Sequence, residues 1–261
     1  MNPGAQTRRV LRRMFALALR ALGPQHWWPG DTPLEVCVGA ILTQNTAWVN
    51  VERAIANLKS AGALAPCALH TMPHRRLAAL IRPAGYFNVK ARRLKAFIAY
   101  LIGHLGGRIE AIRRKSLDAA RRALLTVHGI GPETADSMLL YAAGFPVFVC
   151  DAYTRRILHR HGLCAHDAEY HAMQDLFHRA FPRRDAATYN EFHALIVAVG
   201  KDFCRPRHPR CDACPLGPLL TPAQRRRLQI SPKPDKTPRQ RQSDPPRSRR
   251  PRPPAPQIAR R

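Results

Sequence analysis

The stretch 127-VHGIGPETAD-136 contains two glycines around one isoleucine and joins two apolar, helix-like segments at 119–126 and 137–144. Glycine allows backbone conformations that other residues rarely adopt, so this run predicts a tight turn between two helices. Pro132 suits the first turn of the second helix. Amide groups at the start of that helix would form an anion site, and an ordinary helix-helix turn is the alternative interpretation.

The composition is strongly basic. The chain has 261 residues, with 43 Lys or Arg against 17 Asp or Glu, which gives a net charge of +26. This charge predicts a polyanionic partner, with nucleic acid favoured over an acidic membrane surface. No apolar run approaches the roughly 20 residues that a membrane span requires. We therefore expect a cytoplasmic, nucleoid-associated protein of a bacterium, with no membrane partner.

The composition changes abruptly near residue 231. Residues 231–261 contain nine prolines and ten Lys or Arg against two Asp, with almost nothing apolar. Such a segment cannot bury enough apolar surface to fold, so the sequence predicts a disordered basic tail with a net charge of +8. The first 230 residues keep a charge of +18 and are basic in their own right.

Hydrophobic residues recur with helical spacing through the first 230 residues, and alternating strand-like patterns are missing. An all-α fold is therefore predicted, with only 145–150 extended. Asp31 or Thr32 is expected to cap the helix that Pro33 begins. The predicted helices are 8–22, 33–44, 47–61, 74–81, 90–105, 116–126, 132–143, 152–161, 166–179 and 188–203.

The segment VHGIGPETA resembles the helix-hairpin-helix motif of the endonuclease III superfamily of DNA glycosylases. In that family the hairpin grips a DNA phosphate without reading sequence. The resemblance covers about residues 26–215 and implies a two-lobed fold with DNA in the groove between the lobes. It assigns residues 27–145 to one lobe, and residues 1–26 with 146–230 to the other. By this resemblance the DNA-contacting hairpin residues are His128, Gly129, Ile130, Gly131 and Thr134.

Two further segments carry the same resemblance. The segment 147-VFVCDAYTRRI-157 is similar to the family's stretch that places an essential aspartate at a helix start, which implies that Asp151 is catalytic. The segment 40-AILTQNTAWVNVERAI-55 resembles the one that inserts a residue into the duplex, which implies that Gln44 fills the gap left by a flipped base. Taken alone, Asp151 is an ordinary helix cap and Gln44 a surface glutamine.

The residue at position 133 decides between two chemistries. Bifunctional members of the superfamily carry a lysine there, which attacks the sugar and forms a Schiff base. This chain has Glu133, and a carboxylate cannot form an imine. The resemblance therefore implies a monofunctional glycosylase that only hydrolyses the N-glycosidic bond.

Segments 27–29, 42–46 and 81–95 resemble the 3-methyladenine DNA glycosylases of the endonuclease III type, and Tyr153 agrees with that branch. This implies an alkylated purine in double-stranded DNA as substrate. A positively charged base gains stacking and cation-π attraction in an aromatic pocket, and we assign Trp27, Trp28, Trp48, Glu133 and Tyr153 to that pocket. Core tryptophans, an endonuclease III-type glycosylase and lyase for oxidised pyrimidines, and a non-catalytic damaged-DNA-binding module are the alternatives.

Three of the seven cysteines cluster late in the chain. Cys204, Cys211 and Cys214 have the spacing of the superfamily's iron-sulfur loop, but Leu220 stands where the fourth cysteine belongs. The resemblance implies a [4Fe-4S] cluster with an incomplete ligand set. Zinc bound by these thiolates and His208, or no metal at all, are the alternatives. The other four cysteines are expected to be buried thiols, and the protein to be a monomer.

Overall fold

A computed structural model of the chain describes residues 3–28, 30–182 and 185–230. The predicted basic tail, 231–261, lies outside the described residues. These residues form twelve α-helices: α1 (Pro3–Leu22), α2 (Pro33–Leu42), α3 (Trp48–Ser60), α4 (Pro66–Thr71), α5 (His74–Leu80), α6 (Phe87–Leu105), α7 (Leu117–Leu125), α8 (Pro132–Ser137), α9 (Ala152–Arg160), α10 (Tyr170–Ala180), α11 (Ala186–Asp202) and α12 (Pro222–Ile230).

The all-α prediction is confirmed. No strand occurs in the part of the chain that the structure describes, and residues 145–150 belong to neither a helix nor a strand. The extended conformation of 145–150 stays a prediction, and a tight turn joins the Val147 amide to the Phe145 carbonyl oxygen at 2.9 Å. Thr32 caps α2, because its side chain accepts a hydrogen bond from the Glu35 amide. Within the described ranges, no helix has the length and apolar character needed to cross a membrane.

Several helix bounds differ from the predictions. Helix α1 begins at Pro3 rather than at residue 8, and α10 begins at Tyr170 rather than at 166. Helices α4 and α12 were not predicted. Helix α4 has only six residues and buries one of them, Leu69, so it shows no periodicity. Helix α12 is mostly polar, yet Thr221 and Gln224 form a reciprocal capping box at its start, and that signal is readable in the sequence.

Two groups of helices pack around one continuous core. Helices α2 to α6 pack against one another, and α1 packs on α10 and α11 while α9 packs on α11. Helix α8 continues into one π-helical turn, Met138–Ala142, which touches both α2 and α11 and so joins the groups. The residue bounds of the two lobes stay a prediction.

The segment 145–150 passes through the core. The Phe148 ring stacks on Phe177 with centroids 3.6 Å apart and meets Tyr189 and Phe192 edge-on. This packing holds the backbone that leads directly into α9. Among the other cysteines, Cys37 and Cys150 are buried as expected, and Cys164 is half-buried. Cys67 is exposed, because the short helix α4 that carries it buries only Leu69.

Candidate active site and DNA-binding hairpin

Helices α7 and α8 form the predicted hairpin, and its first glycine is required by geometry. Gly129 has φ +84°, and a Cβ atom there would lie 2.2 Å from Cγ of Arg93. Any other residue would be strained by the backbone conformation and would displace Arg93. Ile130 is only 5% exposed, so its side chain belongs to the core and only its backbone remains for the predicted DNA contact.

The second glycine has a different status. Gly131 has φ −95° and ψ 179°, which any residue can adopt, and a Cβ there would meet nothing within 4 Å. The protein itself therefore does not require glycine at this position. His128 is exposed beside it, whereas the Thr134 side chain is buried.

Gln44 is fixed against the hairpin. Its Nε2 donates to the Gly129 carbonyl oxygen at 3.1 Å and to Thr134 Oγ1 at 3.0 Å, and its Oε1 accepts a hydrogen bond from Arg93. The side chain is half-buried in this arrangement. The expected insertion of Gln44 into the duplex stays a prediction, and it would require these hydrogen bonds to be exchanged.

A buried network connects the hairpin to the segment before Asp151. Asp136 on α8 is fully buried, and its Oδ2 accepts hydrogen bonds from Arg121 at 2.8 Å, Tyr170 at 2.9 Å and Gln174 at 2.7 Å. Gln174 also donates to the Phe148 carbonyl oxygen at 2.6 Å. The network therefore fixes α8 relative to the segment 145–150, which leads directly into the candidate catalytic residue.

Asp151 caps α9 and still presents a carboxylate oxygen. Its Oδ1 accepts hydrogen bonds from the Thr154 amide at 2.7 Å and the Thr154 hydroxyl at 2.9 Å. Its Oδ2 lies 3.6 Å from Nε2 of His193, and 14% of the side chain is exposed. Burial opposes ionisation, but His193 and Thr154 outweigh it and lower the pKa of Asp151. The carboxylate is thus ionised and accessible at neutral pH.

His193 was not predicted as a site residue. It lies in the middle of α11, is 4% exposed, and its Nδ1 is 2.6 Å from the Tyr141 hydroxyl. Burial, followed by the charges of Asp151 and Glu133, raises the pKa of Tyr141 well above its usual value. Tyr141 therefore stays protonated, and its hydroxyl shares a hydrogen bond with Nδ1 of His193, while Nε2 of the same ring faces Asp151 Oδ2.

The three tryptophans meet in one cluster. The Trp28 ring lies 5.4 Å from Trp27 and 5.1 Å from Trp48, and the Tyr141 ring lies 5.0 Å from Trp28. Gly39 on α2 leaves room for them, because a Cβ there would touch both Trp28 and Trp48. All three indoles are half-buried. Through Tyr141 and His193, this aromatic cluster reaches Asp151.

Tyr153 lies elsewhere. Its ring packs so closely on Gly200 of α11 that a Cβ at position 200 would be 2.4 Å from it, and the Arg156 guanidinium sits 5.1 Å above the ring centroid. These contacts place Tyr153 in the interface between α9 and α11. Its assignment to the substrate pocket stays a prediction without support from a contact to the tryptophans.

Glu133 is electrostatically coupled to Asp151. The residue is exposed at the N-terminus of α8, where surrounding protein still desolvates the carboxyl group. This desolvation, and then the negative charge of Asp151, raise the pKa of Glu133 to about 7. Two neighbouring carboxyl groups whose pKa values move in opposite directions are typical of catalytic sites.

Comparison with known proteins now decides the family. Residues 38–183, more than half of the chain, match the HhH-GPD superfamily base excision DNA repair protein family. The chain belongs to this superfamily. A protein of Methanocaldococcus jannaschii that carries the name DNA repair glycosylase is 42% identical over 208 residues, which are 79% of this chain and 94% of the relative.

Two further similarities agree with the HhH-GPD family. The endonuclease III of Sulfolobus acidocaldarius is 30% identical over 178 residues, which are 68% of this chain and 76% of that protein. A crystal structure of the H. pylori 3-methyladenine DNA glycosylase bound to 1,N6-ethenoadenine aligns with a TM-score of 0.65 and 28% identity, over 75% of this chain and 97% of that one. The chain is therefore a DNA-binding, base excision repair glycosylase, and the predicted superfamily, fold and enzyme class are confirmed.

The cysteine loop of this glycosylase, residues 204–220, folds back on α9. Arg160 donates to Cys204 Sγ at 3.2 Å and to the Arg205 carbonyl oxygen at 2.8 Å, while Arg156 donates to the Cys204 carbonyl oxygen at 2.6 Å. Burial raises the pKa of Cys214 to about 11. Two helix arginines thus fix the start of the loop.

The three loop thiols face a common cavity. Cys204, Cys211 and Cys214 line it together with Leu220, the residue at the missing ligand position, and with His161 at the end of α9. His208, the imidazole considered for zinc, is exposed and does not line this cavity. Nowhere in residues 3–28, 30–182 and 185–230 do three or more His, Cys, Asp or Glu side chains stand ready to hold a metal ion.

Proposed function

We propose that this glycosylase is monofunctional and hydrolyses the N-glycosidic bond of an alkylated purine, such as 3-methyladenine, in double-stranded DNA. The observation that carries the proposal is the aromatic cluster of Trp27, Trp28 and Trp48 that leads through Tyr141 to Asp151. The likeness to the H. pylori 3-methyladenine DNA glycosylase supports the same substrate class.

The cluster is built to receive a base. Within the described residues, the indole N–H groups of Trp27 and Trp28 are buried and have no hydrogen-bond partner. Buried donors are normally paired, so these two indicate a ligand that brings acceptors with it. Half-buried indoles also offer faces for stacking, on the order of 1–3 kcal/mol per base, and cation-π attraction favours a base that carries a positive charge.

Asp151 acts on the sugar in this proposal. As the bond between C1′ and the base nitrogen breaks, its electron pair leaves with the base, and an N-alkylated purine that was cationic departs neutral. Positive charge develops on the sugar, and the ionised Asp151 stabilises it electrostatically. Water then adds through its oxygen to C1′ and loses a proton to solvent.

Among the described residues, the hydrogen-bond and ion-pair partners of Asp151 are Thr154 and His193, and neither offers an amine for covalent catalysis. Glu133 occupies the position where a nucleophilic lysine would be needed. Lys90 is the buried lysine in this part of the fold, and burial lowers its pKa to about 8, yet its Nζ donates to the carbonyl oxygens of Leu42 and Ala84, each at 2.8 Å. Lys90 is 1% exposed and stabilises the fold instead of reacting.

Glu133 contributes as a neutral group. Below its pKa of about 7 it is protonated, so Asp151 carries the only negative charge of the pair. The carboxylic acid can then donate a hydrogen bond to the flipped base. When Glu133 ionises, it loses that donor and places a second charge beside the first.

His193 positions the catalytic carboxylate. It is fixed between the Tyr141 hydroxyl and Asp151 Oδ2, and it is too deeply buried to contact DNA directly. Its Nε2 lies 3.6 Å from Asp151 Oδ2, and His193 lowers the pKa of Asp151 and so favours the ionised carboxylate. The resemblance supports the remaining roles, in which the hairpin grips the DNA phosphates and Gln44 fills the gap in the duplex.

Two assays test the proposal. Mass spectrometry of bases released from alkylated genomic DNA should find methylated purines, and their absence would contradict the substrate class. Incubation with abasic-site DNA and borohydride should trap no covalent adduct, and a trapped adduct would show a lyase instead. The monomeric state and the cytoplasmic location stay proposals, which light scattering and fractionation would test.

A further inference from the structure

The cavity beneath the cysteine loop contains one donor that the spacing of the cysteines does not reveal. His161 follows α9 and lies 43 residues before Cys204 in the sequence, yet it lines the same cavity as the three loop thiols. Its Nδ1 is buried and has no hydrogen-bond partner among the residues that the structure describes. A buried ring nitrogen without a partner calls for an explanation, and an absent metal centre is one such explanation.

The position of the missing fourth thiolate lies on the same cavity. Leu220 lines this cavity as well, so the residue at the missing ligand position and His161 face the same space. An imidazole can replace a cysteine thiolate as a ligand to a cluster iron. Position 220 has no donor atom in its side chain, whereas His161 presents a ring nitrogen on the same cavity.

We infer that His161 is the fourth ligand of a [4Fe-4S] cluster whose other ligands are Cys204, Cys211 and Cys214. This inference concerns the loop and does not rest on the alkylated-purine proposal. The three thiols lose their protons when they bind iron. When bound, the cluster would supply a rigid anchor between α9 and the loop, and it takes no part in base release.

A cluster fits these residues better than a single zinc ion. Zinc requires four ligands within about 2.0–2.3 Å of one point, and the described part of the chain holds no group gathered in that way. In a [4Fe-4S] cluster each iron takes one protein ligand, so the four donors need not surround a single point as they do for zinc. The Arg160 guanidinium, which donates to Cys204 Sγ, would offset the negative charge of a thiolate-bound cluster.

The region around the cavity is shaped for close packing of the loop. Gly217 approaches the Cys211 carbonyl oxygen so closely that a Cβ there would be 2.2 Å from it. Arg225 of α12 donates to the Gly217 carbonyl oxygen at 2.9 Å and so closes the loop from the other side. The loop therefore has a defined conformation that presents its thiols to the cavity.

The test compares four full-length proteins purified without oxygen: the wild type, His161→Ala, His161→Ala with Leu220→Cys, and His159→Ala. His159 is the matched control, because it is on the same helix but its Nδ1 already faces the Cys164 carbonyl oxygen at 3.4 Å. Iron, acid-labile sulfide and zinc are measured per chain, together with visible absorbance. Circular dichroism verifies folding.

The wild type and His159→Ala should hold about four irons per chain. His161→Ala should lose most of them, and adding Leu220→Cys should restore them, because a thiolate then enters the same cavity. Unchanged iron in His161→Ala, no restoration in the double variant, or a wild type that takes up zinc or no metal would overturn the inference.

A fifth protein, Leu220→Cys alone, keeps the inference testable if His161→Ala does not fold. A thiolate that displaces the imidazole should lower the reduction potential of the cluster, because histidine ligation raises it. The potential is measured by spectroscopic redox titration. A potential equal to that of the wild type would show that His161 was never a ligand.

Discussion

The site around Asp151 and the cysteine loop are formed in opposite ways. The site around Asp151 brings Asp151, Tyr141 and His193 together from three elements of the fold, where Thr154 donates to Asp151 and a hydrogen bond joins Tyr141 to His193. The loop presents Cys204 and Cys211 by spacing along the chain and leaves its set incomplete. The residues around Asp151 are each held in place by their own helix or segment. The cysteine loop supplies only three ligands, so a complete ligand set requires a residue from outside the loop, such as His161.

The largest expected difference between the two regions is in the rate of base release, when Asp151→Asn is compared with Cys214→Ser. Asparagine also caps helices well, so Asp151→Asn should fold normally while base release falls by at least about 100-fold. Cys214→Ser should lose iron and melt at a lower temperature, while its folded fraction still releases base. Single-turnover rates per folded molecule test this, and a Cys214→Ser rate as low as that of Asp151→Asn would contradict the separation.

The next largest effect on base release is expected from replacing His193, beside Asp151. Replacing it with alanine should misorient Asp151 and slow base release roughly 10- to 100-fold. Because His193 helps to lower the pKa of Asp151, its loss should raise that pKa. Activity that requires the carboxylate is lost as pH falls through its pKa, so the acidic limb of the pH-rate profile should move to higher pH.

His193→Gln is the conservative control, since its amide is a polar group that can donate toward Asp151. It should recover part of the rate and return the acidic limb toward its original pH. If His193→Ala loses rate without any movement of that limb, the histidine supports the fold and does not position Asp151.

Much of the site around Asp151 could be predicted from the sequence. The residues that could not be predicted share one physical reason. Gly129 and Asp151 belong to local motifs, in which backbone conformation or helix capping restricts the residue type. His193 stands within the apolar run of α11, and Tyr141 lies on a π-helical turn that looks like an ordinary helix. Their roles arise only from packing between helices, which leaves no local pattern.

The two hairpin glycines give a smaller and sharper comparison. Gly129→Ala imposes a left-handed backbone on alanine and a clash with Arg93, so it should destabilise the protein by roughly 1–2 kcal/mol or more. Gly131→Ala meets open space and should leave the melting temperature unchanged. If the backbone at Gly131 approaches a phosphate, only DNA affinity should fall.

Thermal melting and binding to abasic-site DNA separate the two hairpin variants. Equal melting temperatures for both would contradict the conformational role of Gly129. Full DNA affinity in Gly131→Ala would show that the hairpin does not bring that backbone close to the duplex.

The smallest expected effect is on the pH dependence of activity, through the ionisation of Glu133. Its raised pKa of about 7 means that the neutral form is lost as pH rises through 7. Wild-type activity should therefore decline above that pH, and Glu133→Gln, which cannot ionise, should keep its activity there. A decline in Glu133→Gln as steep as in the wild type would assign the alkaline limb to another group.

All three tryptophans of the chain belong to the single aromatic cluster beside Tyr141. Nearly all of the intrinsic fluorescence of the protein therefore originates in one place. An extruded nucleobase that stacks there would quench this emission without any attached dye. The enzyme thus contains its own optical reporter, able to follow nucleotide capture in real time and separately from the hydrolysis that follows.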